Sequence, residues 1–136
     1  MTKFFELLSA AVLGVTLVVA GATPAVAQSR QRISFAKGND NAAVKGTIKG
    51  SEYRDYVLRA RKGQDLSVSL ITDGNAYFNI LPPGSMGEAI YNGSTSGANT
   101  TVKLPQDGDY TIRVYLMGAA KSGKKSVPYT VSVAIM

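Results

Sequence analysis

The stretch Leu104-Pro-Gln-Asp-Gly-Asp-Tyr-Thr-Ile-Arg-Val-Tyr-Leu116 (LPQDGDYTIRVYL) decides the fold class. Tyr110, Ile112, Val114 and Leu116 alternate with Thr111, Arg113 and Tyr115, the period-two pattern of a strand with one buried face. Just before it, Gln106-Asp107-Gly108 is turn chemistry, because glycine accepts the positive φ that a tight reversal needs. The same alternation recurs on both sides. Tyr129, Val131, Val133 and Ile135 alternate with Thr130, Ser132 and Ala134, so the last strand should reach the C-terminus at Met136. Within Asp65 to Ile71, Leu66, Val68 and Leu70 alternate with Ser67 and Ser69.

Weaker strands fit Ile33 to Ala36, Ala43 to Ile48, Tyr53 to Ala60, Ala76 to Leu81, Ala89 to Tyr91 and Thr100 to Leu104. Between them stand Lys37-Gly38-Asn39-Asp40, Lys62-Gly63, Asp73-Gly74-Asn75, Pro82-Pro83-Gly84, Asn92-Gly93-Ser94 and Gly118 through Lys125. Such breaks supply positive φ or preset a turn. The segment Pro82 to Asn99, with weak alternation and much Gly, Ser and Asn, reads as a long mobile loop. No 3.6-residue apolar stripe follows residue 27. These features predict an all-β, single-domain antiparallel β-sandwich, jelly-roll-like, of about eight or nine short strands in residues 28–136.

Residues 1–27 read as a cleaved secretory signal peptide rather than part of that domain. Lys3 supplies a positive start, Leu7 to Gly21 is an apolar run, Pro24 breaks it, and Ala25-Val26-Ala27 is a small-residue cleavage signal before Gln28. The competing reading is a membrane anchor, but the run is shorter than the roughly 20 residues that span a bilayer. The expected product is therefore an exported, periplasmic or secreted protein with no stable membrane insertion after cleavage.

Composition narrows the chemistry. The chain has no Cys and no His, which removes Ser-His-Asp and Cys-His nucleophile systems, His or thiolate zinc sites and disulfides. No cofactor is called for. Fifteen Lys+Arg against nine Asp+Glu give a net charge of +6. The basic residues are scattered among acids without an aromatic-interleaved motif, so nucleic acid is not an expected partner, and weak contact with anionic envelope polymers is the modest inference. For carboxylate catalysis the available acids include Glu52, Asp55, Asp73 and Glu88, and nothing in their spacing selects a pair. Ser122 with Lys125 sits on a soft loop, where a nucleophile is poorly positioned. Asp107 and Asp109 offer oxygen ligands to calcium, yet Asp-Gly-Asp equally suits a hairpin turn. A non-catalytic protein is expected. Tyr77 and Tyr91, with neighbouring Asn, Ser and Thr, are a possible sugar platform.

The order Gly46-Thr47-Ile48-Lys49-Gly50, then Tyr53 to Gln64 (YRDYVLRARKGQ), then LPQDGDYTIRV at 104–114, then Tyr129 to Ile135, resembles the periplasmic inhibitors of g-type lysozyme. More loosely, the strand-KGQ-strand and LP-x-x-G-x-Y-x-x-x-V elements are similar to bacterial pre-peptidase C-terminal domains, exported β-sandwiches appended to hydrolases. Both matches are mainly scaffold, which speaks for fold more than for activity. The first resemblance implies an inhibitor of g-type lysozyme that inserts polar, basic loops into the enzyme's cleft: the loop after the KGTIKG segment and the loop between the last two strands. This chain departs there, with Ser51 where the family pattern has Tyr, and Gly118 and Ser122 where it has two Arg. The candidate partner-binding residues are therefore Ser51, Tyr53, Arg54, Lys121, Ser122, Lys124 and Lys125. The second resemblance implies instead a binding or accessory module for wall polysaccharide or an exported partner.

Overall fold

Alternation assigns one face of each strand to the interior, and two such sheets bury those faces against each other. The computed structural model describes residues 28–136, so the signal peptide expected over 1–27 lies outside the described residues. In chain order the elements are β1 (Gln28–Arg32), β2 (Asn41–Lys49), β3 (Tyr53–Ala60), β4 (Asp65–Thr72), β5 (Ala76–Leu81), β6 (Tyr91–Asn92), α1 (Gly93–Ser96), β7 (Asn99–Lys103), β8 (Gly108–Leu116), α2 (Gly118–Ser122) and β9 (Ser126–Ile135). One sheet runs β1-β3-β8-β5-β6 and the other β2-β9-β4-β7. No helix among the described residues is long and apolar enough to cross a membrane.

Between the sheets lie the residues that the alternation singles out. Leu58, Phe78, Ile80, Tyr110, Ile112 and Val114 of the first sheet, and Leu66 and Val131 of the second, have no exposed surface. Two tyrosines bridge the layers. Tyr56 on β3 and Tyr129 on β9 meet hydroxyl to hydroxyl at 2.5 Å, with rings edge-on at 6.4 Å. Burial, and then this hydrogen bond, push the Tyr129 hydroxyl well above the ordinary tyrosine range. Room for the pair comes from Gly46 on β2, where a Cβ would stand 2.6 Å from the Tyr129 oxygen and 2.9 Å from that of Tyr56. Tyr110 fixes the turn before β8 by donating to the Gln106 carbonyl at 2.6 Å while accepting from the Gln106 N–H at 3.1 Å. The C-terminus is tied down as expected, with Met136 and Asp65 exchanging backbone hydrogen bonds at 2.9 and 3.0 Å.

Three expectations need correction. The first strand is Gln28–Arg32, not Ile33 to Ala36, and it pairs in parallel with β3, so the first sheet is not wholly antiparallel. Ile33 is buried and donates to the Val57 carbonyl at 2.8 Å, after which the chain crosses to the other sheet. The apolar signal at Ile33 and Phe35 marks residues that pack on the core at this crossing, whereas the strand itself is polar and held by backbone bonds and arginines. Finally, Pro82 to Asn99 is not featureless: it contains β6 and the single helical turn α1, capped by the Asn92 side chain.

Arg32 fastens β1 to β8, donating from Nη1 and Nη2 to the Asp109 carboxylate at 3.3 and 3.0 Å, with Arg59 at 3.5 Å. The Arg32 hydrogen bonds hold the Asp109 carboxyl below its ordinary value of 3.8. A carboxylate depressed in the folded state contributes stability that is complete above its ordinary pKa and is lost as pH falls through the folded value. Amide protection in β1 should therefore drop as pH falls below that ordinary value, and Asp109→Asn should flatten the profile. An unchanged profile in Asp109→Asn would exclude this fastening.

Candidate functional site

Because five strands lie side by side, a row of registered partners crosses the whole first sheet. One row reads Arg30, Asp55, Arg113, Asn79, Asn92 on its outer face. The neighbouring row carries Tyr53, Tyr115 and Tyr77. Asp55 is buried although it points outward, because charged partners cover it. Arg113 Nε and Nη2 donate to its two oxygens at 2.8 and 3.0 Å, and Arg30 lies 4.0 Å away. The Arg113 guanidinium also lies 4.2 Å above the Tyr53 ring centroid. A two-pronged carboxylate contact and an aromatic platform give this cation a fixed position, which a lone surface lysine lacks. The hydrogen bond to Asp55 raises its pKa further above the ordinary arginine range.

Beside Arg113 the amides are equally constrained. The Tyr115 hydroxyl lies 2.7 Å from Asn79 Oδ1 and 3.3 Å from Asn92 Oδ1. Asn79 Oδ1 also accepts from the Gly93 N–H at 3.3 Å, and Asn92 Oδ1 from the Ser94 N–H at 3.0 Å and hydroxyl at 2.8 Å. These groups border an open cavity of about 420 Å³, whose other wall is formed by Ser51, Glu52, Met117 and Lys121.

The cavity thus joins the two loops singled out in the sequence. The turn after β2 and the α2 loop touch: a Cβ on Gly50 would lie 3.6 Å from the Gly123 carbonyl and 3.8 Å from that of Lys121. Ser51, Tyr53 and Lys121 line the cavity together. Ser122 adjoins it on α2, its hydroxyl 3.4 Å from the Gly118 carbonyl. Lys124 and Lys125 are exposed further along, Lys125 bordering a separate hollow around Val127 and Asp73. None of the three lysines meets a carboxylate among the described residues. Arg54 is not with them. It pairs in register with the buried Val114 and so lies on the opposite face of β3 from Tyr53, half-buried toward Tyr129.

Arg113, Asn79 and Tyr115 escaped the sequence reading, which counted Asn92 and Ser94 only among the polar residues around the Tyr77 and Tyr91 sugar platform. Their polar, outward positions in the alternation were visible, but their convergence depends on a strand order that places β8 between β3 and β5. The other candidates disperse. Tyr77 packs on Tyr115 outside the sheet at 6.2 Å, while Tyr91 stacks on the buried Phe78 at 5.4 Å, so the two form no common platform. Asp107 accepts from the Lys62 N–H at 2.7 Å and Asp109 is held by arginines. No group of three acids that could hold a metal occurs among the described residues. Asp55 is committed to Arg113, and Glu52 accepts from the Lys49 N–H at 3.1 Å.

No protein-family model matches the chain. It is 28% identical over 122 residues to the inhibitor of g-type lysozyme of Escherichia coli, covering 88% of this chain and 90% of that protein. The crystal structure of a periplasmic lysozyme inhibitor of g-type lysozyme from Aeromonas hydrophila superposes with a TM-score of 0.75 at 32% identity, over 80% of this chain and 97% of that one. The pre-peptidase C-terminal domain of a Bacillus anthracis collagenase shares the fold, with a TM-score of 0.59 at 16% identity, 81% of this chain and 99% of that domain being covered. The match to the Aeromonas inhibitor in sequence and fold, over nearly its full length, settles the relationship: this chain belongs to the family of periplasmic inhibitors of g-type lysozyme.

Proposed function

We propose that this protein is exported to the periplasm and inhibits g-type lysozyme there by occluding the enzyme's cleft, without catalytic activity of its own. The observation carrying this reading is the convergence of the β2–β3 turn and the α2 loop on one edge of the sandwich, bearing Ser51 and Lys121 side by side. A lysozyme cleft is a concave sugar site that holds at least one carboxylate. Basic loops inserted there gain charge-assisted hydrogen bonds and exclude substrate. Lys121, Lys124 and Lys125 supply the charge that the family pattern places on arginine, with Ser122 and Tyr53 completing the contact. Arg54, on the other face, supports the edge rather than touching the enzyme. Weak attraction to anionic envelope polymers follows from the net charge and is sensitive to salt.

Clearing of peptidoglycan suspensions by purified g-type, c-type and i-type lysozymes, titrated with residues 28–136, tests this. Selective, stoichiometric loss of g-type lysis is expected. Combined Lys121→Ala, Lys124→Ala and Lys125→Ala should weaken inhibition by about tenfold or more, taking roughly 0.5–1 kcal/mol for each exposed ionic contact. The loss should shrink at high salt. Full inhibition by the triple variant would move the interface elsewhere. Inactivity toward every lysozyme would leave the family scaffold with another partner, to be sought by polysaccharide pull-down.

A further inference from the structure

The flank of the sandwich where β1 and β2 lie is built unequally. The first sheet has five strands and the second four, and β2 packs over β3 and β8. Ser29 and Gln31 of β1 share the inward face of the first sheet with Arg54 and Tyr56, yet both are exposed. The edge of β2 is open as well. The Ile135 N–H donates to the Asp40 carbonyl at 2.9 Å, so by the antiparallel alternation Ala42, Val44, Gly46 and Ile48 bond to β9. The N–H and C=O groups of Asn41, Ala43, Lys45 and Thr47 then point away from the sheet, and none has a backbone partner among the described residues. Lys49 does not continue this row, because Glu52 takes its N–H at 3.1 Å and donates to its carbonyl at 3.2 Å. Beside the open edge lies Arg54, half-buried between the sheets near the Tyr129 hydroxyl. It has no carboxylate and no hydrogen-bond acceptor among the described residues.

We infer that this flank receives a fifth strand for the second sheet, and that the strand is an extended acidic segment of another exported protein. Added beside β2, such a segment lies over β1 and pairs its backbone with the open groups of Asn41 to Thr47, the way in which exposed sheet edges capture peptides. Its successive side chains face opposite ways. Those turned inward meet Arg54, Ser29 and Gln31, where a carboxylate gives the half-buried guanidinium the partner it lacks. Those turned outward run beside Lys45, exposed on the other face of β2. A second copy of this chain is a poor occupant. β2 carries Lys45 and Lys49, β1 carries Arg30 and Arg32, and neither strand holds an acid, so pairing them sets like charges together. An anionic polysaccharide answers the cations but lacks the regular backbone spacing that the edge offers. The flank uses none of the α2 lysines, so this inference stands apart from the inhibitor reading.

Two blocked peptides serve as probes, one alternating Glu with Thr and the other Lys with Thr, each titrated at equal ionic strength into isotope-labelled residues 28–136. The Glu peptide should bind saturably, shifting the amide signals of Asn41, Ala43, Lys45 and Thr47 and the Nε–H of Arg54, and slowing exchange of those four amides. The Lys peptide should leave them in place. Ala43→Pro removes an outward N–H, which an edge strand tolerates, and sets a ring in the path of the added strand, so affinity should fall by about tenfold or more with an unchanged melting temperature. Arg54→Gln leaves the β2 backbone as it is and should weaken binding of the Glu peptide roughly fivefold. No saturable shift with the Glu peptide overturns the site, and equal binding of both peptides overturns its selection of acids. Parent-like affinity in Ala43→Pro with the fold intact overturns strand addition; if that variant unfolds, parent-like affinity in Arg54→Gln overturns the contact instead. Sedimentation that shows dimers of the peptide-free protein, lost in Ala43→Pro, names a second copy as the occupant and overturns the acidic segment.

Discussion

Gly93→Ala should cost roughly 3 kcal/mol or more of unfolding free energy, well above the typical effect of a point substitution. Gly93 begins α1 and is buried against β5, where an added Cβ would stand 2.3 Å from the carbonyl oxygen of Phe78 and 3.1 Å from its nitrogen. Both are backbone atoms, and Phe78 has no exposed surface, so neither side can yield without opening the sheet. The cheaper response is for α1 and β6 to lift off β5. That would carry Asn92 and Ser94 away from Tyr115 and dismantle one wall of the cavity, so inhibition should fall together with stability. Urea unfolding measures the first effect and lysozyme titration the second. The exposed Ser96→Ala on the same turn should stay within about 0.5 kcal/mol of the parent. A Gly93→Ala protein as stable as Ser96→Ala would show that the α1 packing is not a constraint.

Asp55→Ala should be nearly as damaging, at about 2–4 kcal/mol. Its carboxylate is buried to 8% side-chain exposure and answers Arg113, which is itself 27% exposed. Removing one partner of a buried pair leaves the other charge desolvated, which typically costs about 3–5 kcal/mol, and the residual exposure of Arg113 reduces this. Arg30 loses a neighbour at 4.0 Å as well, loosening β1. The cycle with Arg113→Met tells pairing from packing. The double variant should recover part of the loss, because no unpaired charge then remains on the outer face. Strictly additive losses in thermal unfolding would mean that the pair is not energetically coupled.

The fold was legible because period-two burial was written along the chain. Leu66, Val68 and Leu70, the Tyr110 to Leu116 run and the Tyr129 to Ile135 run all turn inward as their spacing requires. Tyr53–Ala60 and Ala76–Leu81 emerge with the expected bounds. The first strand was misplaced because Gln28–Arg32 contains no apolar residue and is selected by backbone pairing with β3 and by arginine contacts to Asp55 and Asp109. Within Pro82 to Asn99 the strand expected over Ala89 to Tyr91 forms instead at Tyr91–Asn92, and the helical turn after it was missed for a similar reason. A two-residue strand and a single turn have no periodicity to read, and what holds them is Gly93 against Phe78 and the Asn92 cap.

Sequence by itself determined the fold class, the inward face of most strands, the exclusion of His- and Cys-dependent chemistry, the resemblance to the lysozyme inhibitors and the two candidate loops, one of which bears Lys121, Lys124 and Lys125. Tertiary structure alone decided which of those residues share a surface. It set Arg54 on the opposite face from Tyr53, brought Ser51 to Lys121, and aligned Asp55, Arg113, Asn79 and Asn92 across four strands. The reason is physical: alternation is a property of one strand and is dictated by burial, whereas a row across a sheet depends on strand order and register. Those are fixed only when distant segments pair.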